Sequence, residues 1–364
     1  MPNETILPLW ACYFFEAPDT GEDVFFVSPY ENNETIYRCI LRSEYILGKT
    51  YGPRLNLVLG VILGIIGVTG AIANCANILV LKQLTKNSNL YLLLILLAFF
   101  DFIVCTFSIS TTVFGQIVLN DVYRGPSALK AVQISNAIFA LGRTGSVYIT
   151  ILVTIERILV VSYPLHFKLW MTSIRMRTVI GFWLLFIVTI NIPWWLNNAL
   201  VENETWKFPG TELSKFPYIF EDTHFAKHIY TKIAPWDIVV DSLLPIPLLL
   251  VLNGMLYYTI HKCIKRREQL TRSQTKEVNA AKMFATLATI LFAFHSFGVA
   301  HLIITQATGV FYHELLFMIY LAMTINSCVN FFIYYASIKY FREKLQKYVG
   351  SSVKSTTSVS TVIT

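Results

Sequence analysis

The sequence predicts an all-α membrane protein: a seven-transmembrane helix bundle with its N-terminus outside and a short amphipathic helix after span seven. The first observation behind this is compositional. Of 364 residues, 55% are apolar and only 14% charged, against roughly 25% charged in an ordinary soluble domain, which excludes a disordered chain and favours a membrane as solvent. The second is where the charges are missing. A spanning helix needs about 20 largely uncharged residues, and the stretches 55–81, 178–201, 242–261, 283–313 and 315–338 contain no Asp, Glu, Lys or Arg, while 87–120 and 131–155 hold one each, Asp101 and Arg143. The third is a sorting of sign. The connections after spans one, three and five and the C-terminal tail hold 18 Lys and Arg against four acids, counting Glu156 and Arg157 at the inner end of span three. The N-terminal segment and the connections after spans two, four and six hold ten bases against about fifteen acids, so the positive-inside rule turns the first set to the cytoplasm. The net charge of +7 is thus a statement about topology. It does not point to nucleic acid, because the bases form no patch interleaved with aromatics.

In chain order, residues 1–53 form an extracellular N-terminal segment. Its start, Met1-Pro2-Asn3-Glu4, lacks the basic region of a signal peptide, so span one is expected to act as the insertion signal. The sequons Asn3-Glu4-Thr5 and Asn33-Glu34-Thr35 precede span one, and Asn203-Glu204-Thr205 follows span four. An even number of crossings puts all three on the side opposite the basic loops, where N-glycosylation occurs. Of six cysteines only Cys12 and Cys39 lie in this oxidising territory; they form a disulfide or remain two outer thiols. The seven-transmembrane domain covers 54–336 with short connections. The longest outer one, near 200–232, mixes Pro209, Pro217 and aromatics with charges and reads as a folded loop. Residues 337–349 set Ile338, Phe341, Leu345 and Tyr348 at i, i+3, i+7 and i+10 with bases between, an amphipathic helix suited to the anionic inner leaflet. Residues 350–364 read as a disordered cytoplasmic tail.

Polar groups inside the spans carry the chemistry, since a charge in hydrocarbon is costly and marks function by default. Asp101 sits in the middle of span two, with Asn77, Ser146, Asn326, Ser327 and Asn330 as candidate partners in spans one, three and seven. Asn326 and Asn330, four apart, share a helix face. The functional reading is a hydrated cluster able to hold a small cation such as sodium; the alternative is a polar knot that glues helices together. Arg143 lies 14 residues before Arg157, nearly four helical turns further outward. Asp237 and Asp241 share a face in the outer half of span five, so a pairing with Arg143 would line an outer cavity suited to a ligand with polar and charged groups, such as a peptide. An ion pair of purely structural purpose is the alternative. At the inner end of span three, Glu156 can hold Arg157 in place until another partner competes for it, and Glu277 is the only nearby acid that could tether Arg157 to span six. His295 and His301 are six apart, on opposite sides of a helix, and pack or line the cavity; the spans hold no His/Glu cluster with metal-ligand spacing.

Together these positions resemble the rhodopsin-like (class A) G-protein-coupled receptors over nearly the whole chain from about 55 to 348. The resemblance rests on Ala76-Asn77-Ile78-Leu79-Val80 in span one, Leu97-Ala98-Phe99-Phe100-Asp101 in span two, and Glu156-Arg157-Ile158 closing span three. It continues with Trp183 and Pro193 in span four, Pro245 in span five, and Asn330-Phe331-Phe332-Ile333-Tyr334 followed by Phe341 after span seven. In such receptors Asp101, Ser146, Asn326, Ser327 and Asn330 would match the sodium pocket, and Glu156, Arg157, Asn330 and Tyr334 the coupling switch. Phe331 in place of the usual Pro, and Asn191-Ile192-Pro193, look like invertebrate FMRFamide-type neuropeptide receptors.

The departures are informative as well. Span six reads Phe292-Ala293-Phe294-His295-Ser296-Phe297-Gly298, without the family's usual Trp and kink Pro. Val132 stands in place of the cysteine at the top of span three and the loop after span four has no Cys, so the family's outer disulfide is absent and something else must order that loop. Phe139 replaces the Asp of amine receptors, and span seven has no Lys for a retinal Schiff base.

The resemblance implies a multi-pass plasma-membrane receptor, not an enzyme, that binds an extracellular ligand and activates a heterotrimeric G protein. The ligand set is Arg143, Asp237, Asp241 and His301, and a neuropeptide is the leading ligand. Arg157 would leave Glu156 on activation, with Asn330 and Tyr334 repacking near Asp101. Nine Ser and Thr after 350 could be phosphorylated and bind arrestin-like partners. The alternatives are a chemoreceptor for a small odorant-like molecule or, in another class, a membrane transporter or channel, which would favour internal repeats and broken helices in paired positions.

Overall fold

In lipid every backbone N–H and C=O must find a partner within the protein, and the apolar stretches meet that demand by coiling into helices. A computed structural model describes residues 53–84, 89–110, 126–192, 195, 199–202, 218–221, 238–265, 272–308 and 313–347. The three sequons, the Cys12–Cys39 pair, Asp237 and the C-terminal tail lie outside the described residues. The helices are α1 (Pro53–Lys82), α2 (Asn89–Ile109), α3 (Pro126–Ser162), α4 (Pro164–Trp170), α5 (Ser173–Ile190), α6 (Pro245–Lys265), α7 (Arg272–Thr308) and α8 (His313–Ser337), followed by α9 over 339–347. Six of them, α1, α2, α3, α5, α7 and α8, are long and apolar enough to cross a membrane.

The bundle is organised around α3, which packs against α2, α5, α6 and α7, while α1–α2, α2–α8, α6–α7, α7–α8 and α8–α1 contacts close the ring. Its central position shows in its burial: Ile149, Ile151 and Val153 are all fully enclosed. The outer helices show apolar side chains on both faces, one to neighbours and one outward, as in Leu93 (buried) and Phe99 (exposed) of α2. That is the pattern of helices solvated by hydrocarbon. Close approach of α2 and α3 depends on Gly145, where an added Cβ would stand 2.1 Å from the Phe100 ring.

Local chemistry sets the helix ends. Pro164 begins α4 at a position where a missing N–H costs nothing. Thr172 caps α5 by accepting from the Arg175 backbone N–H. The charge-free run 178–201 is longer than the helix it was expected to form. The α5 helix stops at Ile190, Asn191 turns its amide back to the Ile187 carbonyl at 2.8 Å, and Pro193 disfavours helix in the residue before it. Further on, Ala199–Glu202 (β1) pairs antiparallel with Tyr218–Glu221 (β2), with Ala199 opposite Glu221 and Glu202 opposite Tyr218.

Before Pro245 the chain makes a π-helical turn, Ile238–Leu243. Leu244 N–H donates to Val239 O, five residues back, at 2.7 Å. The Val240 carbonyl, which an α-helix would have satisfied, instead accepts from the Tyr148 hydroxyl at 2.6 Å. The α3 backbone is held in turn: Trp183 Nε1 of α5 donates to Tyr148 O at 2.8 Å. One tyrosine therefore connects α3, α5 and the turn leading into α6.

Candidate functional site

Two polar centres occupy the otherwise apolar bundle. The first surrounds Asp101, which is wholly buried at mid-helix in α2. Ser146 of α3 donates to its Oδ1 at 2.7 Å and Ser327 of α8 to the same oxygen at 2.9 Å. Asn330, one turn after Asn326 on α8, donates to Oδ2. Three donors from two other helices thus converge on one carboxylate. Three of the expected pocket residues are thus brought directly onto Asp101. Asn326 is buried beside them and lines a cavity of about 10 Å³ with Ser146, Ser327 and Arg143, roughly the room of one water-sized species.

Asn77 reaches the cluster by a different route from the expected one. Its amide donates to Asn74 Oδ1 at 3.1 Å, and Asn74 in turn donates to the Ser327 carbonyl and the Gly70 carbonyl, both at 3.0 Å. Asn74 ties α1 to α8 and was missed from the sequence. The available signal was its position three residues before Asn77, on the same helix face.

Arg143 was expected in an outer ligand cavity opposite Asp237 and Asp241. It lines a small cavity with Ser146, Asn326 and Ser327. Asp237 lies outside the described residues; Asp241 is in the π turn. His301 and His295 are both buried on α7. The place where amine receptors carry Asp is filled by Phe139, packed on Tyr320 of α8 with ring centroids 4.8 Å apart.

The second centre is at the inner end of α3. The Arg157 fork is bound by both carboxylate oxygens of Glu156, and its Nη1 donates to Glu277 Oε2 of α7 at 2.8 Å. Phe284 of α7 lies under the guanidinium, 5.9 Å from its carbon to the ring centroid, a cation–π contact. The two acids differ in surroundings. The side chain of Glu156 is 6% exposed and that of Glu277 43%. Removing one partner of a buried pair costs several kcal/mol, whereas a partly solvated bridge is worth about 0–1 kcal/mol. Of the two bridges, the one to Glu277 joins α3 to α7 and is the more solvated, and the one to Glu156 lies within α3 and is the more buried.

Tyr334 of α8 is fully enclosed, and its hydroxyl has no hydrogen-bond partner among the described residues. Its ring meets Phe341 of α9 edge-on at 6.2 Å, and Phe331 meets Phe341 at 6.0 Å. Phe341 is wholly buried, with Ile338 and Leu345 packed on the same core. The apolar stripe of the expected amphipathic helix thus grips the end of α8.

The family model for the 7 transmembrane receptor (rhodopsin family) matches residues 73–334. The chain is similar to the FMRFamide receptor of Drosophila melanogaster, 26% identical over 290 residues that cover 76% of this chain and 51% of that protein. It is also similar to the FMRFamide peptide receptor frpr-18 of Caenorhabditis elegans, 28% identical over 195 residues, 52% of this chain and 43% of that protein. The chain spans about half the length of the curated relatives it matches.

Proposed function

This chain belongs to the rhodopsin family of seven-transmembrane receptors, and on that premise we propose that it is a plasma-membrane G-protein-coupled receptor answering an extracellular amidated neuropeptide. The N-terminus faces outward, and the π turn with α6 is the seventh crossing, fifth in chain order. The observation that carries the coupling role is the interhelical bond from Arg157 to Glu277: it closes the inner face between α3 and α7 with an interaction weak enough for a ligand to break. A peptide ligand is supported by the names of the two relatives and by the aromatic pair Phe139–Tyr320 standing where an amine would need a carboxylate.

Ligand binding on the outer side shifts a two-state packing equilibrium. On the inner side α7 swings from α3, Arg157 leaves Glu277 while keeping Glu156, and the uncovered face receives the G protein. The bend is assigned to Ser296, which donates to the Phe292 carbonyl at 2.7 Å, and to Gly298. Serine back-bonding and Gly/Ser pairs both loosen a helix, so this pair stands in for the missing proline. Asn330 and Tyr334 repack around Asp101 as α8 adjusts. Sodium fits the Asp101 cluster by donor chemistry, a carboxylate with the hydroxyl oxygens of Ser146 and Ser327 beside a water-sized space; bound there it would stabilise the resting packing. Asn326 and Asn330 complete the set. Arg143, with Asp237, Asp241 and His301, serves the ligand side. The phosphorylated tail recruits arrestin.

The test is expression in cells carrying a second-messenger reporter, with FMRFamide as first ligand and related amidated peptides after it. A response in the parent that is lost in Arg157→Ala at equal surface expression is the expected result. Equal responses in the two would overturn the coupling role, and a response to small volatile molecules alone would overturn the peptide reading.

A further inference from the structure

Two thiols that play no part in the coupling scheme sit together in the bundle. Cys105 lies one turn after Asp101 on α2, and Cys328 directly follows Ser327 on α8; both are free thiols. Helix α1 closes over them at Gly70. A Cβ there would stand 2.6 Å from Cys105 Sγ and 2.4 Å from Cys328 Sγ, so the two sulfurs fill the space that any other residue at position 70 would occupy. Cys328 Sγ donates to the Ile66 carbonyl at 3.4 Å, and the Asn74 amide reaches Cys105 Sγ at 4.0 Å. Cys105 is wholly enclosed, while Cys328 is only partly buried. A partly exposed thiol next to an enclosed one is an arrangement in which the first can be oxidised and the second resolve it.

We propose that Cys105 and Cys328 form a peroxide-oxidised disulfide that staples α2 to α8 beside the Asp101 cluster. Cys328 sulfur attacks one oxygen of hydrogen peroxide and becomes the sulfenic acid, with water leaving. Cys105 sulfur then attacks the sulfenic sulfur, the S–S bond forms and a second water leaves. Two thiols and one peroxide give one disulfide and two waters. The oxidant is small and neutral, able to reach a partly buried thiol at a helix seam. The staple runs between the same two helices that Ser327 and Asn330 join through Asp101, so oxidation fixes α8 in its present packing and dithiol reduction frees it.

The test uses the full chain in membranes treated with hydrogen peroxide, then denatured, blocked with N-ethylmaleimide and digested without reduction. A peptide pair joining Cys105 to Cys328, lost on dithiothreitol, is expected, together with a rise in the melting midpoint on the order of 5 °C that dithiothreitol reverses. Cys105→Ser and Cys328→Ser should each show neither. Recovery of both residues as separate maleimide adducts, or as separate sulfinic acids, over a peroxide range that oxidises the exposed Cys75 overturns the proposal. Neither readout involves a ligand or a G protein, so failure here and failure of the receptor reading are distinguishable.

Discussion

Asp101 and Tyr148 show how much a single side chain can decide in an apolar bundle. Asp101 gathers donors from α3 and α8, and its charge is what would attract a cation. Asp101→Asn keeps the volume and removes the charge. In membranes, exchange of choline chloride for sodium chloride is expected to weaken peptide agonist binding to the parent and to leave the variant unmoved; equal sodium effects would argue against the pocket. Tyr148 has a different task, covering the carbonyl that the π turn leaves open. Tyr148→Phe strands a partly buried acceptor, with a penalty of about 1 kcal/mol, and should lower the melting midpoint in detergent without altering the identity of the activating ligand.

At the scale of elements, the α2–α3 seam is set by a residue with no side chain. Gly145→Ala would bring a methyl to 2.1 Å from Phe100, an overpacking of about 1–3 kcal/mol. Loss of thermal stability that is restored by Phe100→Leu is expected, and a parent-like midpoint in the single variant would show that the seam relaxes freely. The helices themselves were legible because spanning lipid requires long runs with almost no charge, so the charge-poor stretches around Asp101, Arg143 and Trp183 located them. Where the end of a helix depends on local competition, the same signal overreached: Asn191 and Pro193 end α5 well short of position 201, and Ala199–Glu202 becomes a strand. The π turn was not legible either, because Pro245 announces an unsatisfied carbonyl and not which neighbour will satisfy it.

The same division runs through the site. The Asp101 partners Ser146, Ser327 and Asn330 and the Arg157 partners Glu156 and Glu277 were legible, since a charge in an apolar helix narrows the candidates to the few polar groups at its depth. Asn74 and the Cys105–Cys328 juxtaposition were not, because both depend on how closely α1, α2 and α8 approach one another around Gly70, a distance that no periodicity encodes.

For the molecule as a whole, the account requires one orientation and one moving boundary. The orientation rests on Lys and Arg gathered on one side and sequons on the other. Peptide N-glycosidase F should increase the gel mobility of the expressed chain, in steps that Asn33→Gln and Asn203→Gln each remove; no shift in the parent would contradict an outward N-terminus. The boundary is the inner contact of α3 with α7, and it is where the central claim can be measured most directly. Glu277→Gln removes the solvated half of the Arg157 clasp and leaves Glu156 in place. Ligand-independent G-protein activation at matched surface expression is predicted to rise up to about fivefold, the equivalent of a bridge worth about 1 kcal/mol. Basal activation equal to or below that of the parent would contradict the account.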